Sequence, residues 1–588
     1  MDNGLMDPTP DTTAPDLLLG PMLRYVDESR ATIWVETSAP CEVSVVVGDE
    51  RFSEPTWTVH EHHFALVRIE GLEPDTVSAY RVELDSLGVW PEEGGRESMI
   101  RTLAAGENPC PVRLAFGSCR RGEKQSPEML KKIGADALVA LSMQMEDTAH
   151  ERWPDAMLLL GDQIYADIPS ERIAARLADR RAAGLGPEAV RASEGAGGDR
   201  DVSKEICDFE EYSWLYHESW SDPDVRWLLS SVPSCMILDD HDLRDDWNSS
   251  RFWREEMTAQ PWWKDRVSGA FASYFVYQHL GNLSPDELDK DPTYTELRRL
   301  STPAEREQLL ADFAIRADSV PGASKWSYLR DFGAVRVVML DVRASRHLHR
   351  GNRLVMDDAE WEWARSMCLD DGVEHLLIGS SLPAFMLPAL HHLEGWNEAT
   401  VELLGTAPLR SRFAEWLRRA VDLEHWAAFR SSFNGLVTLL TEVARGDSGS
   451  APSSILVLGG DVHCSYIEEV TLTDPSVADS RTAVHQLVMS PYRNPLNLPI
   501  RAVNRLAQTR PVIAALSALS RHRGVVEPAA QWGVSDGIWF DNGVMTLELE
   551  GRAARVEVDH ASVEWPSEGS KEEPRQVLRR TLNKMLAG

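Results

Sequence analysis

Cysteine is scarce in this sequence. There are seven in 588 residues, an odd number, and no CxxC pair. That spacing supports neither a disulfide framework nor a zinc knuckle, and reduced thiols are the simplest expectation. No run approaches the roughly 18 apolar residues of a membrane-spanning helix. Basic residues are in deficit: 60 Lys and Arg face 93 Asp and Glu, a net charge of −33 at pH 7. That balance opposes general nucleic-acid binding, which depends on neutralising phosphates. It also opposes docking on anionic lipid. The opening MDNGLMDPTPDTTAPDLLLG lacks the basic and apolar regions of a signal peptide, so a cytoplasmic location is expected. No GxSxG elbow, P-loop lysine motif or internal repeat occurs, leaving serine-hydrolase and kinase-like readings unsupported.

What is present is an ordinary globular composition, 43% apolar and 26% charged. Residues 1–18 are acidic and proline-bearing and are expected to be disordered. Residues 19–105 read as β, with ATIWVET, CEVSVVVGDERF, HHFALVRIEGL and SAYRVELD as turn-bounded strands. Leu72, Pro74 and Tyr80 have the spacing of a tyrosine corner, which predicts an immunoglobulin- or fibronectin-like sandwich. A generic hairpin is the alternative. GENPCP, at 106–111, is a plausible linker.

From Pro111 the texture becomes that of an α/β domain, expected over 111–560. The runs VRLAFGSC, AMLLLGD, SCMILDDHD, VRVVMLDVR, HLLIGSS and ILVLGGDVH read as buried strands with polar ends. In open α/β sheets ligands bind beyond the strand C-termini. The six runs are therefore expected to deliver Cys119, Asp162, Asp240, His241, Asp341, Arg343, Ser380, Ser381, Asp461 and His463 to one rim. Ser126-Pro127 reads as a helix start. RASEGAGGDRD (191–201) reads as a mobile loop, and 245–325 as mainly helical. The tail, 561–588, reads as a linker followed by a short amphipathic helix, QVLRRTLNKML.

Four blocks carry chemistry. In GDQIYAD (161–167) the glycine permits a tight turn and Asp162 offers a carboxylate that can bridge two cations, or cap the next helix. In DDHDLRDDW (239–247) crowded carboxylates raise one another's pKa, which a bound cation relieves. A solvated acidic loop is the alternative. GGDVHCS (459–465) brings Asp461 and His463 to one turn. Imidazole suits transition metals and carboxylate suits hard cations. A surface turn is the alternative. In FGSCR (116–120) Cys119 ends a strand beside Arg120 and Arg121, cations that favour a thiolate. A buried structural cysteine is the alternative.

In this order the blocks resemble the PhoD-like branch of the calcineurin-like metallophosphoesterases. The resemblance covers most of 19–560 and includes GPMLRYVDESRATIWVET, YQHLGNLSP and LDVRASR. It implies two mixed β-sheets flanked by helices, with a dinuclear metal site at the strand ends. The usual superfamily pattern is DxH, GDxxD, GNH, a lone His and GHxH. Here Cys119 stands for the first Asp, Asp240 for Asn, and Asp461 for a His. The lone His has no counterpart; Ser380 or Ser381 sits roughly there. Carried over, Cys119, Asp162, Tyr165 and His463 would hold the first metal, and Asp162, Asp240 and Asp461 the second. The resemblance favours Fe³⁺ with Ca²⁺, with Mn²⁺, Mg²⁺ or Zn²⁺ as alternatives. It implies hydrolysis of a small-molecule phosphate ester, mono- or diester, by a metal-activated hydroxide. His241 would protonate the leaving group or hold the transition state. Arg120 and Arg343 are candidate phosphate clamps, although Arg343 could equally pair with Asp341.

Two other readings compete. One is a non-catalytic, metal-stabilised binding or scaffold protein. The other is a calcium-stabilised carbohydrate binder using Trp262, Trp263 and Trp396. Against the scaffold, a binding module needs no thiolate-plus-carboxylate set.

Overall fold

The computed structural model describes residues 14–106, 111–193, 201–349, 351–403, 408–447, 449–567, 570 and 572–588. Of the start expected to be disordered, 1–18, residues up to 13 lie outside the described residues, as do 107–110 of the linker and 194–200 of the expected mobile loop; Leu17 and Leu18 instead open the first strand.

The N-terminal region is all-β. Leu17–Val26, Ala31–Thr37, His62–Ile69 and Trp57–Val59 form one antiparallel sheet. Glu50–Pro55, Glu42–Val47, Val77–Leu84, Leu87–Trp90 and Ser98–Arg101 form a second. Alternating side chains from both, such as Ile33, Val35, Val45 and Val82, share one apolar cluster. Tyr80 makes no local corner. Its hydroxyl donates 2.7 Å to the Ser230 carbonyl, at the end of the helix Pro223–Ser231. The tyrosine that reads as a local β signature is a tie to the following region.

Two further ties are stronger. Arg24 is fully buried and donates to the carbonyls of Ser234 (3.2 Å), Tyr277 (2.8 Å) and Gln278 (2.7 Å). The arginine reaches them only because residue 281 is glycine; a Cβ there would lie 2.2 Å from the Arg24 Cζ. Glu36, also buried, meets His62, His217 and the Tyr277 hydroxyl at 2.7, 2.8 and 3.0 Å.

The remainder is α/β. Ser234–Ile237, Ala156–Leu160 and Val112–Gly117 run parallel, and the antiparallel strands Gly543–Glu550, Ala553–Glu564 and Arg575–Ala587 extend that sheet to six. A seven-stranded sheet contains Val335–Leu340, His375–Ser380 and Ser454–Gly459 in parallel order. The rim strands thus belong to two sheets. Leu158, Met545, Val337, Met339 and Leu456 place both sheets on one core. Val338, Leu340, Ile378 and Val457 face the opposite way, onto the helices Asp358–Cys368 and Arg430–Arg445.

Local signals hold where chemistry is local. The Ser126 side chain caps Pro127–Ile133 by accepting from the Met129 amide. The tail does not follow its expected course: QVLRRTLNKML lies within the strand Arg575–Ala587 on the sheet edge. Helical periodicity is a weak preference, and the unpaired backbone of an edge strand outweighs it. Trp262 and Trp263 are buried in the core, which removes them as exposed sugar platforms. Among the described residues no helix is long and apolar enough to cross a membrane.

Candidate metal centre

The parallel strands of both sheets end at one place, and their loops are cross-linked by backbone groups. The Cys119 amide donates to the Gly161 carbonyl (3.3 Å), and the Gly460 amide to the Ser381 carbonyl (2.9 Å). The Asp461 amide reaches Ser118 Oγ at 3.0 Å, joining the rim of one sheet to that of the other. Gly460 permits this approach, since a Cβ would stand 2.5 Å from the Ser118 side chain.

Cys119, Asp162, Asp461 and His463 all have positive φ, between 49° and 62°. Each such non-glycine residue costs on the order of 1–3 kcal/mol and persists only where its surroundings impose it. Four of them converge on one point. Ligand atoms of Cys119, Asp162 and His463 lie within 4.8 Å of one another. So do those of Asp162, Asp240 and His241, and those of Asp162, Asp239, Asp240 and Asp461. Asp162 is common to all three groups. Tyr165 joins the first: its hydroxyl accepts from Asn494 Nδ2 (2.9 Å), which also contacts His463 Nε2 at 3.3 Å.

The electrostatics are those of anions without enough counter-charge. Burial, reinforced by Asp239 and Asp461, raises the Asp162 carboxyl well above the carboxylate range. Burial likewise pushes Asp240 up, and Asp239 to about 6. It raises the Cys119 thiol and the Tyr165 phenol, and lowers His463 to about 4. Asp461 goes the other way: burial is overcome by the His425 imidazole, 3.6 Å away, and by Arg343, and the carboxyl falls to about 2. Asp162 Oδ1 and Asp239 Oδ2 are buried with no hydrogen-bond partner among the described residues. Orphaned carboxylate oxygens beside a thiol, a phenol and an imidazole fit cations.

His241 stands at the edge of this group with Nδ1 on Asp167 Oδ1 at 2.8 Å, which leaves Nε2 for the site. Asp167 and Asp240 outweigh burial and hold His241 well above its ordinary pKa. The two arginines differ from expectation. Arg120, expected as a phosphate clamp, lines the cleft beside Tyr165, but its buried guanidinium grips Asp136 at 2.8 and 3.0 Å and turns to the Ser219 carbonyl. Arg343 lies in the site but is wholly buried, with Asp239 at 2.6 Å, Glu424 at 2.7 Å and Asp240 at 3.4 Å. It does not pair with Asp341, whose Oδ1 accepts the backbone amides of Arg343 and Ala344. Arg121, half-buried, pairs with Glu123 and lines the same cleft with Tyr165.

Several members escape a sequence reading. Asp239 is visible in DDHD but is indistinguishable from its neighbours until the loop is folded. His425 follows Glu424 in a helical insertion with no motif, and its Nδ1 is held 2.6 Å from buried Glu394. Asn494 and Asp167 carry no signal beyond their loops. Ser380 points its hydroxyl to the Leu382 carbonyl, and the Ser381 Cβ faces Gly161.

Residues 138–524 match the model of the PhoD-like phosphatase family, about two thirds of the chain. The chain belongs to that family. Residues 14–102 of this PhoD-like phosphatase match a second family, described as a domain of unknown function (DUF7800). Comparison with curated proteins finds no match. Among solved structures, that of PhoD aligns over 98% of this chain and 94% of its own, at 12% identity and a TM-score of 0.58, a likeness of fold. A purple acid phosphatase from yellow lupin (Lupinus luteus) seeds aligns over 97% and 75%, at 10% identity and a TM-score of 0.42.

Proposed function

We propose that this PhoD-like phosphatase hydrolyses phosphate esters, mono- or diesters, at a dinuclear metal site. The observation that carries the proposal is Asp162, a buried carboxylate in a left-handed turn, shared by three potential ligand groups, with one oxygen lacking a protein partner. Cys119, Asp162, Tyr165 and His463 would hold one cation. Thiolate, phenolate and imidazole together suit iron. Asp162, Asp240 and Asp461, with Asp239 as a further oxygen donor, would hold the other, and that set suits Ca²⁺, Mn²⁺ or Mg²⁺. Cations at such a site polarise phosphoryl oxygens and acidify water.

The chain's own residues supply the rest. His241, oriented by Asp167, is the proton donor to the leaving oxygen. Arg121 takes the phosphate-contacting role expected of Arg120. Arg343 balances Asp239 and Glu424, and His425 orients Asp461. We assign residues 17–101 to an immunoglobulin-like sandwich. Residues 111–587, including the C-terminal strand pair, form the catalytic unit, with its two sheets face to face.

Asp162→Asn tests the proposal. It should abolish turnover of chromogenic phosphomonoester and diester substrates and lower bound metal, while the circular-dichroism spectrum is unchanged. Near-wild-type turnover at full metal content would refute the assignment.

A further inference from the structure

The charge of this protein is unevenly distributed. From Ser480 to Val526 there is no aspartate or glutamate, in a chain carrying 93 of them. Within that stretch lie two consecutive helices, Leu498–Ala507 and Arg510–His522. Arg501, Arg505, Arg510, Arg521 and Arg523 lie on or beside them, and among the described residues none of the five is ion-paired with a carboxylate. Elsewhere in the molecule arginines are commonly matched to acids, as in the Arg336, Arg419 and Arg580 pairs.

The same two helices expose large aliphatic side chains. Leu498 is 77% exposed and Leu506 65%, with Ile500 and Leu519 also open; Val526, beyond the second helix, is 76% exposed. Scattered exposed leucines are ordinary; a cluster of them interleaved with unpaired arginines is not. The guanidinium carbons of Arg501 and Arg505 lie 5.6 and 5.3 Å from the Phe540 ring centroid, so one ring holds the two cationic heads side by side. Apolar side chains alternating with cations on a short helix are the pattern of an element lying in a lipid–water interface. A nucleic-acid surface would match the arginines but not the leucines. A protein surface that is both acidic and apolar would match both kinds of side chain, and failure to bind vesicles would leave that occupant instead.

We propose that the helices Leu498–Ala507 and Arg510–His522 dock this protein on an anionic lipid surface. The net charge of −33 does not forbid it. At physiological salt charges more than about 10 Å away are screened, so the local arginines decide the contact. The docking element begins shortly after Asn494, which touches Tyr165 and His463. A protein seated this way holds the loop bearing the candidate metal ligands close to the bilayer. The proposal concerns binding alone and stands whether or not the site hydrolyses phosphate esters.

The test is sedimentation of the full chain with vesicles of phosphatidylcholine alone and of phosphatidylcholine with phosphatidylglycerol, at physiological salt. Binding to the anionic vesicles only is expected. The triple variant Arg501→Glu/Arg505→Glu/Arg510→Glu should bind at least about tenfold more weakly, as should Leu498→Asp/Leu506→Asp, with unchanged circular dichroism for both. No binding, or equal binding to neutral vesicles, would overturn the proposal. Loss with the arginine variant but not with the leucine variant would also overturn it, pointing to a soluble polyanion. Self-association that Leu506→Asp abolishes, in a chain that ignores vesicles, would assign the face to a second copy instead.

Discussion

At the scale of single residues, the site is built by backbone compulsion as much as by side-chain identity. Cys119, Asp162, Asp461 and His463 occupy left-handed conformations that none would choose freely, and each is imposed by a strand ending in a tight turn. His241 is different: its place is set by Asp167 rather than by strain. If it donates a proton to the leaving group, His241→Ala should cost roughly 10²–10⁴-fold in turnover on a poor leaving group such as an alkyl phosphate. The loss should shrink on nitrophenyl esters, which need little protonation, with metal content nearly unchanged. A uniform loss across leaving groups, measured alongside metal analysis, would assign His241 to binding or metal support instead. These residue types were legible in FGSCR, GDQIYAD, DDHD and GGDVH because ligand chemistry restricts the choice of side chain. The pairing of Arg120 with Asp136 was not, because a guanidinium beside a strand end points wherever its partner lies, and Asp136 is sixteen residues away.

At the scale of elements, the decisive contact is the insertion of Arg24 from the first strand among the helix ends behind the DDHD loop. Arg24 holds the carbonyls of Ser234, Tyr277 and Gln278, and Gln278 Nε2 donates 2.9 Å to Asp242 Oδ1. Burial lowers Arg24 to about 10, so it stays charged at neutral pH. Arg24→Met leaves buried carbonyls unsatisfied, at about 1–3 kcal/mol each. It should lower both the melting temperature and the turnover number. Gly281→Ala should do the same by collision. Because the two changes act on one contact, they should not add: in the Arg24→Met background the alanine has room, and its cost should fall. A double-mutant cycle by chemical denaturation measures this, and strict additivity would show that Arg24 and Gly281 act separately.

At the scale of the whole molecule, the N-terminal β region and the α/β region meet across a buried charge network centred on Glu36. Burial opposes its ionisation, but His217 and His62 bring the carboxyl down to about 2. Burial pulls His62 down, yet Glu210 and Glu36 raise it from 6.5 to about 9. The Glu36 contribution to stability is present above its ordinary pKa and lost only as pH falls toward 2. The His62 contribution is complete below about pH 6.5 and disappears as pH rises through 9. The melting temperature should therefore decline between pH 6.5 and 9, and decline less in His62→Gln, which has no proton to lose. Thermal melts of both proteins across that range check it; parallel curves would show that the network contributes nothing to the pH dependence.

The sequence by itself determined the local and the chemical. Buried strands, the Ser126 helix cap and most candidate ligands follow from side-chain types within a few residues, where sterics and donor chemistry leave little choice. Only the tertiary structure decided what depends on distant partners. It turned QVLRRTLNKML from an expected helix into an edge strand, because a free sheet edge outweighs helical propensity. It turned Tyr80 toward Ser230, 150 residues away. It also brought His425 against Asp461 from a helical insertion without a motif. Contacts of that kind are set by how sheets and helices pack, and no short stretch of sequence contains them.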